Sequence, residues 1–166
     1  MAFRLPTRAV KYFDRILIRG GGRTEESKLN LFDAYYYCAL IGFALGEPLN
    51  LESKSDNEFE SFMRQGYPED YLGSRDYIAG LLIASEIEHD GTDQTNSREL
   101  EKLMTKLIEH EAPTRLSKLG LERLDAYVFR GIESLIETIA PPTSLATFLV
   151  AFCDELQRIK HRKQRG

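Results

Sequence analysis

Asn30-Leu-Phe-Asp-Ala-Tyr-Tyr-Tyr-Cys-Ala-Leu-Ile-Gly-Phe-Ala-Leu-Gly46 reads as one helix that is apolar on nearly every face. Asn30 is a good N-cap, and Asp33 falls in the first turn, where the helix dipole favours a carboxylate. Gly46 stops the helix two residues before Pro48. A helix without a polar face cannot lie on a surface, so residues 31–45 are expected at the centre, with the rest of the chain packed around them. Tyr35, Tyr36 and Tyr37 spread over about 200° of such a helix, so most of them must pack inside rather than stack bases.

Working outward, the apolar residues recur at helical rather than alternating spacing. Pro6 suits the first position of a helix that runs to Gly20-Gly21-Gly22, with Ala9, Val10, Phe13, Ile16 and Leu17 on one side. Ser55 and Glu58 form a capping-box pattern before Phe59, Phe62 and Met63, a short helix closed by Gly66. Ser74 opens a helix carrying Tyr77, Ile78, Leu81, Leu82 and Ile87, which ends near Gly91. Asn96 with Glu99 caps another, through Leu107 and Ile108. A longer helix follows Pro113 and ends at Pro141-Pro142, and the last begins at Thr143 or Ser144 and runs into the basic tail. The expectation is an all-α, single-domain irregular bundle of six or seven helices (residues 1–157) around the central one, followed by a basic C-terminal tail (158–166). No heptad is sustained, so it is not a coiled coil.

The bulk properties fit this. With 166 residues, 42% hydrophobic and 29% charged, the chain can bury a sizeable core. Cys38 and Cys153 each sit in an apolar helical run and are expected to be buried free thiols in a reducing compartment. The first residues show no secretory leader, and the longest apolar run is shorter than a membrane span and contains Asp33. The expected location is the cytoplasm.

Charge is segregated. Residues 1–28 carry a net charge of +4, residues 29–157 carry −13, and residues 158–166 carry +5. This pattern speaks about partners rather than fold. On a continuous N-terminal helix, Arg8, Lys11, Arg15 and Arg19 fall within an arc of about 80°, a row that can meet successive phosphates. Arg158, Lys160, Arg162, Lys163 and Arg165 form a second patch, with His161 among them. Both admit a plainer reading, as the solvated face of an amphipathic helix and as cations drawn to a helix C-terminus. Whether the two patches adjoin is left open by the sequence.

No catalytic signature accompanies them. The acidic group Glu86, Glu88, His89, Asp90 and Asp93 matches neither a calcium loop nor a zinc motif, and Glu109-His110-Glu111 reads the same way. The three histidines face no evident nucleophile, and the glycine triplet lacks the Lys-Ser/Thr of a phosphate loop. No metal, cofactor or catalytic residue is assigned.

The segment Lys28–Leu49 resembles the signature region of small accessory proteins encoded with Dnd-type DNA phosphorothioation and restriction systems. Lys28, Asp33, Leu40, Gly42, Phe43, Gly46, Pro48 and Leu49 follow the order found there, and Leu124–Leu135 is similar to the C-terminal helix of those proteins. The likeness spans about 110 residues loosely. This chain departs from it by a longer N-terminal helix and by the helix after Pro141-Pro142, the parts that carry the basic patches. The resemblance implies a non-catalytic helical subunit in bacterial antiphage defence. The functional expectation is therefore contact with DNA, or with a DNA-bound defence protein, through the cationic ends, with no membrane involved. The alternative is an adaptor whose terminal amphipathic helices dock onto a larger protein without touching nucleic acid.

Overall fold

A computed structural model describes residues 3–18, 28–52, 58–62 and 67–165. Among the described residues the protein is a mostly helical bundle with one small two-stranded sheet. Its elements are β1 (Phe3–Pro6), α1 (Thr7–Tyr12), α2 (Leu31–Leu45), β2 (Phe59–Phe62), a 3-10 turn (Glu69–Ser74), α3 (Arg75–Asp90), α4 (Ser97–Leu107), α5 (Lys118–Thr138) and α6 (Leu145–Lys163).

Helix α2 is the buried centre that its composition requires. Asn30 Oδ1 accepts from the Asp33 N–H at 2.8 Å, and Asp33 Oδ2 accepts from the Asn30 N–H at 2.7 Å. This reciprocal cap satisfies two of the otherwise orphaned donors at the helix start. At the other end Gly46 turns left-handed at φ 78°, a conformation that costs a glycine nothing.

The partner of α2 is α5, and glycines set their separation. A Cβ on Gly42 would overlap the Tyr127 carbonyl, and a Cβ on Gly131 would overlap the Cys38 carbonyl. Each glycine thus receives the backbone of the other helix, four residues from the position that returns the contact. As the α2 number rises from 38 to 42, the α5 number falls from 131 to 127, so the two helices run antiparallel. Gly120 meets the Leu107 carbonyl in the same way and seats the start of α5 against the end of α4. Tyr35, Ile41, Leu124, Tyr127, Val128, Ile132 and Leu135 fill the space alongside.

Helices α3 and α6 flank α2. Tyr36 meets Tyr71 just before α3, and Tyr37 packs edge-on against Phe148 and Phe152 of α6. Lys163, at the end of α6, reaches the Gly46 turn, so α6 runs parallel to α2.

Three expectations are corrected. The N-terminal segment is not one helix from Pro6 to Gly20. Residues 3–6 are a strand paired antiparallel to β2, with Phe3 opposite Phe62 and Pro6 opposite Phe59. Phe3 and Leu5 point inward and Arg4 outward, a two-residue period over too few residues to stand out in the sequence. The helix then lasts only from Thr7 to Tyr12, because Ile16 and Ile18 exchange backbone hydrogen bonds with Leu29 instead. Phe59–Phe62, expected as a helix, is strand β2, whose Phe62 ring joins an aromatic cluster with Phe3, Phe32 and Tyr35 while Phe59 packs on Phe129. Ser55, Gly66 and the Gly20–Gly22 triplet lie outside the described residues. Cys38 is buried, but Cys153 is exposed, since Phe152 rather than its neighbour takes the inward position on α6.

Elsewhere the expected boundaries hold closely, except at the start of α5. Asn96 and Ser144 cap α4 and α6, each accepting from a backbone N–H three residues on. Helix α5 starts at Lys118 rather than directly after Pro113. Arg115 adopts φ 59°, Leu116 bridges to Ile108, and Ser117 becomes the cap.

The glycine seams give the first prediction. Gly42→Ala or Gly131→Ala should destabilise the protein by about 3 kcal/mol or more, because the obstacle is backbone that cannot turn aside. Gly80→Ala, where nothing stands within reach, should be neutral or slightly stabilising. Urea denaturation of the three variants measures both.

Candidate functional site

The N-terminal strand and α1 run alongside α5 as a strap. Arg4 bonds to Asp125, Arg8 Nη2 to Glu133 Oε1 at 2.7 Å, and the Tyr12 hydroxyl to the Ile139 carbonyl at 3.2 Å. The basic residues here therefore serve first as fasteners. Arg8 is half-buried, and its guanidinium also lies 6.0 Å from the centre of the Phe129 ring.

This rearranges the first predicted patch. Arg8 is engaged by the protein's own carboxylate. Lys11 and Arg15 are exposed and make no ion pair among the described residues. Because α1 ends at Tyr12, Arg15 does not continue the helical arc of Arg8 and Lys11. Arg19 lies outside the described residues.

The second patch is arranged differently. Arg158 Nη1 bonds to Glu155 at 2.7 Å, and Arg162 stands 3.9 Å from the same buried carboxylate. Lys163 Nζ bonds to Glu88 Oε1 at 2.8 Å. Lys160 and Arg165 are exposed and unpaired among the described residues. Arg158, His161, Arg162 and Arg165 line one shallow outward groove of about 440 Å³ with Asp154 and Gln157, an i, i+3, i+4, i+7 ladder that starts on α6 and ends in the turn after it. Three guanidinium groups, Arg158, Arg162 and Arg165, stand against the two carboxylates Asp154 and Glu155, so the balance of this face is cationic by one charge.

The two patches sit at different heights along α6. Phe13, between Lys11 and Arg15, packs on Phe148 near the start of α6. Arg158, where the second patch begins, lies ten residues further along that helix, about 15 Å at 1.5 Å per residue, and Lys163 about 22 Å.

A second concave region has no counterpart among the sequence expectations. A cleft of about 570 Å³ opens between the chain after α2 and the first half of α5, lined by Arg4, Arg123, Asn50 and Glu52, with His89 from the end of α3 at its rim. Beneath each arginine lies a buried carboxylate. Asp125, 1% exposed, accepts from the Arg4 backbone N–H at 3.2 Å, from Arg4 Nε at 2.8 Å and from the Tyr35 hydroxyl at 2.8 Å. Glu86, 3% exposed, accepts from Arg123 Nε and Nη2 at 2.7 and 2.8 Å and from the Tyr127 hydroxyl at 2.9 Å. The plan is the same twice: an arginine at the cleft, an acid in the core, and a tyrosine bonding that acid from within. In the sequence Glu86 reads only as one of an acidic group without a metal motif, and Asp125 has no evident role. The alternation Phe3-Arg4-Leu5 is the one available signal for Arg4.

Burial raises the Asp125 carboxyl to about 6, against the opposing pull of Arg4 and of the Tyr35 hydrogen bond. The Tyr35 and Tyr127 hydroxyls are pushed up by burial and then by the carboxylates they bond. The Cys38 thiol is likewise raised by burial, which makes it unreactive. Among the described residues no set of three His, Cys, Asp or Glu side chains could hold a metal, and no helix is long and apolar enough to cross a membrane.

Compared with known proteins, the chain matches no family model, no curated protein and no solved structure.

Asp125 yields a prediction about pH. Its carboxyl titrates near 6 in the fold and near 4 in the unfolded chain. Between those values the folded protein holds the extra proton, so the contribution of this group falls as pH rises from about 4 to about 6, and is constant above. Relative to Asp125→Asn, which cannot ionise, the wild type should lose about 2–3 kcal/mol across that window. Urea midpoints of both proteins at intervals from pH 4 to pH 7 test this, and parallel curves would refute it.

Proposed function

We propose that the protein is a non-catalytic helical subunit that engages a polyanion through the outer face of α6, as part of a bacterial DNA-modification or antiphage defence system. The observation that carries this reading is the ladder Arg158, His161, Arg162 and Arg165 on one exposed groove along the end of α6 and the turn after it, with Lys160 exposed beside it. From 158 to 165 the ladder rises about 10 Å, the length of about three steps of a DNA strand at 3.4 Å each. Contacts of this kind hold the phosphate backbone without reading bases. The defence context rests on the resemblance of residues 28–49 and 124–135 alone. The N-terminal row contributes less than its composition suggests, since Arg8 is engaged by Glu133.

The adaptor reading finds one supporting feature, also on α6. Val150 is 64% exposed, a large apolar side chain without cover. Helix α1 offers no such face, because Ala9 and Tyr12 are buried against the rest of the protein.

The two readings differ in their response to salt. Replacing Lys160, Arg162 and Arg165 with Gln should weaken binding to duplex and single-stranded DNA. It should also reduce the slope of log K against log salt by about 2 to 3, close to one unit for each phosphate no longer neutralised. Fluorescence anisotropy of labelled oligonucleotides across a salt series measures this. Unchanged affinity and slope would remove DNA as the ligand. Association with a protein partner that persists at high salt would then favour the adaptor.

A further inference from the structure

We infer that the cleft between Arg4 and Arg123 is a binding site for a small organic phosphate of about nucleotide size, separate from the cationic face of α6.

The first consideration is what these ion pairs do for stability. A buried charge pair gains little or nothing over well-packed apolar residues of similar volume, because desolvation offsets the attraction. Here two half-buried pairs, each with its acid in the core, occur under one cleft, and each acid is anchored from within by a tyrosine hydroxyl. What the arrangement achieves is orientation. Asp125 holds Arg4 through Nε, and Phe59 lies 4.7 Å beneath the guanidinium carbon. Glu86 holds Arg123 through Nε and Nη2. A guanidinium carries five N–H donors, so each fork retains donors beyond those bonds, and both side chains remain about a third exposed at the cleft. Each pair turns its positive end outward and its negative end to the core. Guanidinium groups fixed in this way lose little freedom when they bind, which is the condition for strong recognition of an oxyanion.

The rest of the cleft narrows the chemistry. One guanidinium edge matches the two oxygens of a carboxylate, whereas the outer edges that Arg4 and Arg123 keep beyond their own acids together suit the three terminal oxygens of a phosphomonoester. The volume of about 570 Å³ lies within the range of small-molecule sites and far exceeds inorganic phosphate. Leu49 and Leu119 supply apolar wall, while Glu52 and Glu122 are acceptors that repel a bare polyanion but suit a body bearing hydroxyl or amino donors. A phosphate joined to a donor-bearing ring system, as in a nucleoside monophosphate, meets all of these features. A nucleic-acid strand does not, since its further phosphates would face the two glutamates.

Titration of the full-length chain with AMP, GMP, CMP, UMP and inorganic phosphate tests the site. At least one nucleotide should bind with a Kd below about 1 mM, and inorganic phosphate about tenfold more weakly. On the wild type alone, the Arg4 and Arg123 side-chain Nε–Hε signals should shift in nitrogen-resolved NMR spectra. Arg123→Gln and Arg4→Gln should each weaken binding about tenfold or more. Since either leaves a buried acid unpaired, a combined Arg123→Met, Glu86→Leu and Tyr127→Phe variant removes the whole cluster at similar volume. It should stay folded and bind at least about tenfold more weakly than the wild type. The Lys160, Arg162 and Arg165 to Gln variant should bind nucleotide as the wild type does, which separates this site from the α6 face. The inference is overturned if none of the five probes shifts the two arginine signals, if the combined variant binds normally, or if the α6 variant abolishes binding.

Discussion

The protein is organised by a place where two helices have no room between them. At the α2–α5 crossing, Gly42 accepts the Tyr127 carbonyl and Gly131 accepts the Cys38 carbonyl, so backbone rather than side chain sets the spacing. Close approach of this kind favours weak Cα–H···O contacts and dense dispersion between the two main chains. It also fixes register: a slide of one residue along either helix would drive a Cβ into a carbonyl. Everything described later hangs on α5 in that register, including the buried Asp125, the outward Arg123 and the row that fastens the N-terminal strap.

The buried acids follow from this frame. Asp125 and Tyr127 sit two residues apart on α5, and Arg123 two residues before them, so successive odd positions belong to two separate clusters. Tyr35, the first of the three tyrosines of α2, reaches across the same crossing to Asp125. A segment that reads as a packing signal, Tyr35-Tyr36-Tyr37, thus divides its work. Tyr35 supports a buried charge, while Tyr36 and Tyr37 carry the aromatic contacts to the segment before α3 and to α6.

Local signals are legible in the sequence and distant pairings are not. Asn30, Asn96 and Ser144 mark helix starts because a cap acts within three residues. The bundle and its central helix can be read for the same reason, since apolar periodicity is a local property. Strand β1 is hidden because its four residues find their partner more than fifty positions later, and four residues cannot display a period convincingly. The basic row at the N-terminus is visible as composition. What Arg4 and Arg8 actually do depends on Asp125 and Glu133, more than a hundred residues away, and no spacing rule reaches so far. At the C-terminus the cations can be read more directly, because a continuous helix carries its geometry with it.

The strap along α5 has a consequence for how the chain reaches its native state. Its three fasteners join residues separated by 121, 125 and 127 positions. Such closures come late, because the entropy of a long loop is lost before any contact compensates for it. On a ribosome adding roughly 5–20 residues per second, the opening residues would wait on the order of ten seconds for α5 to emerge. Through that interval Phe3 can meet the rings of Phe32, Tyr35 and Phe62, but the strap lacks the α5 wall it is fastened to, so residues 4–12 are among the last to settle and need protection from aggregation while they wait.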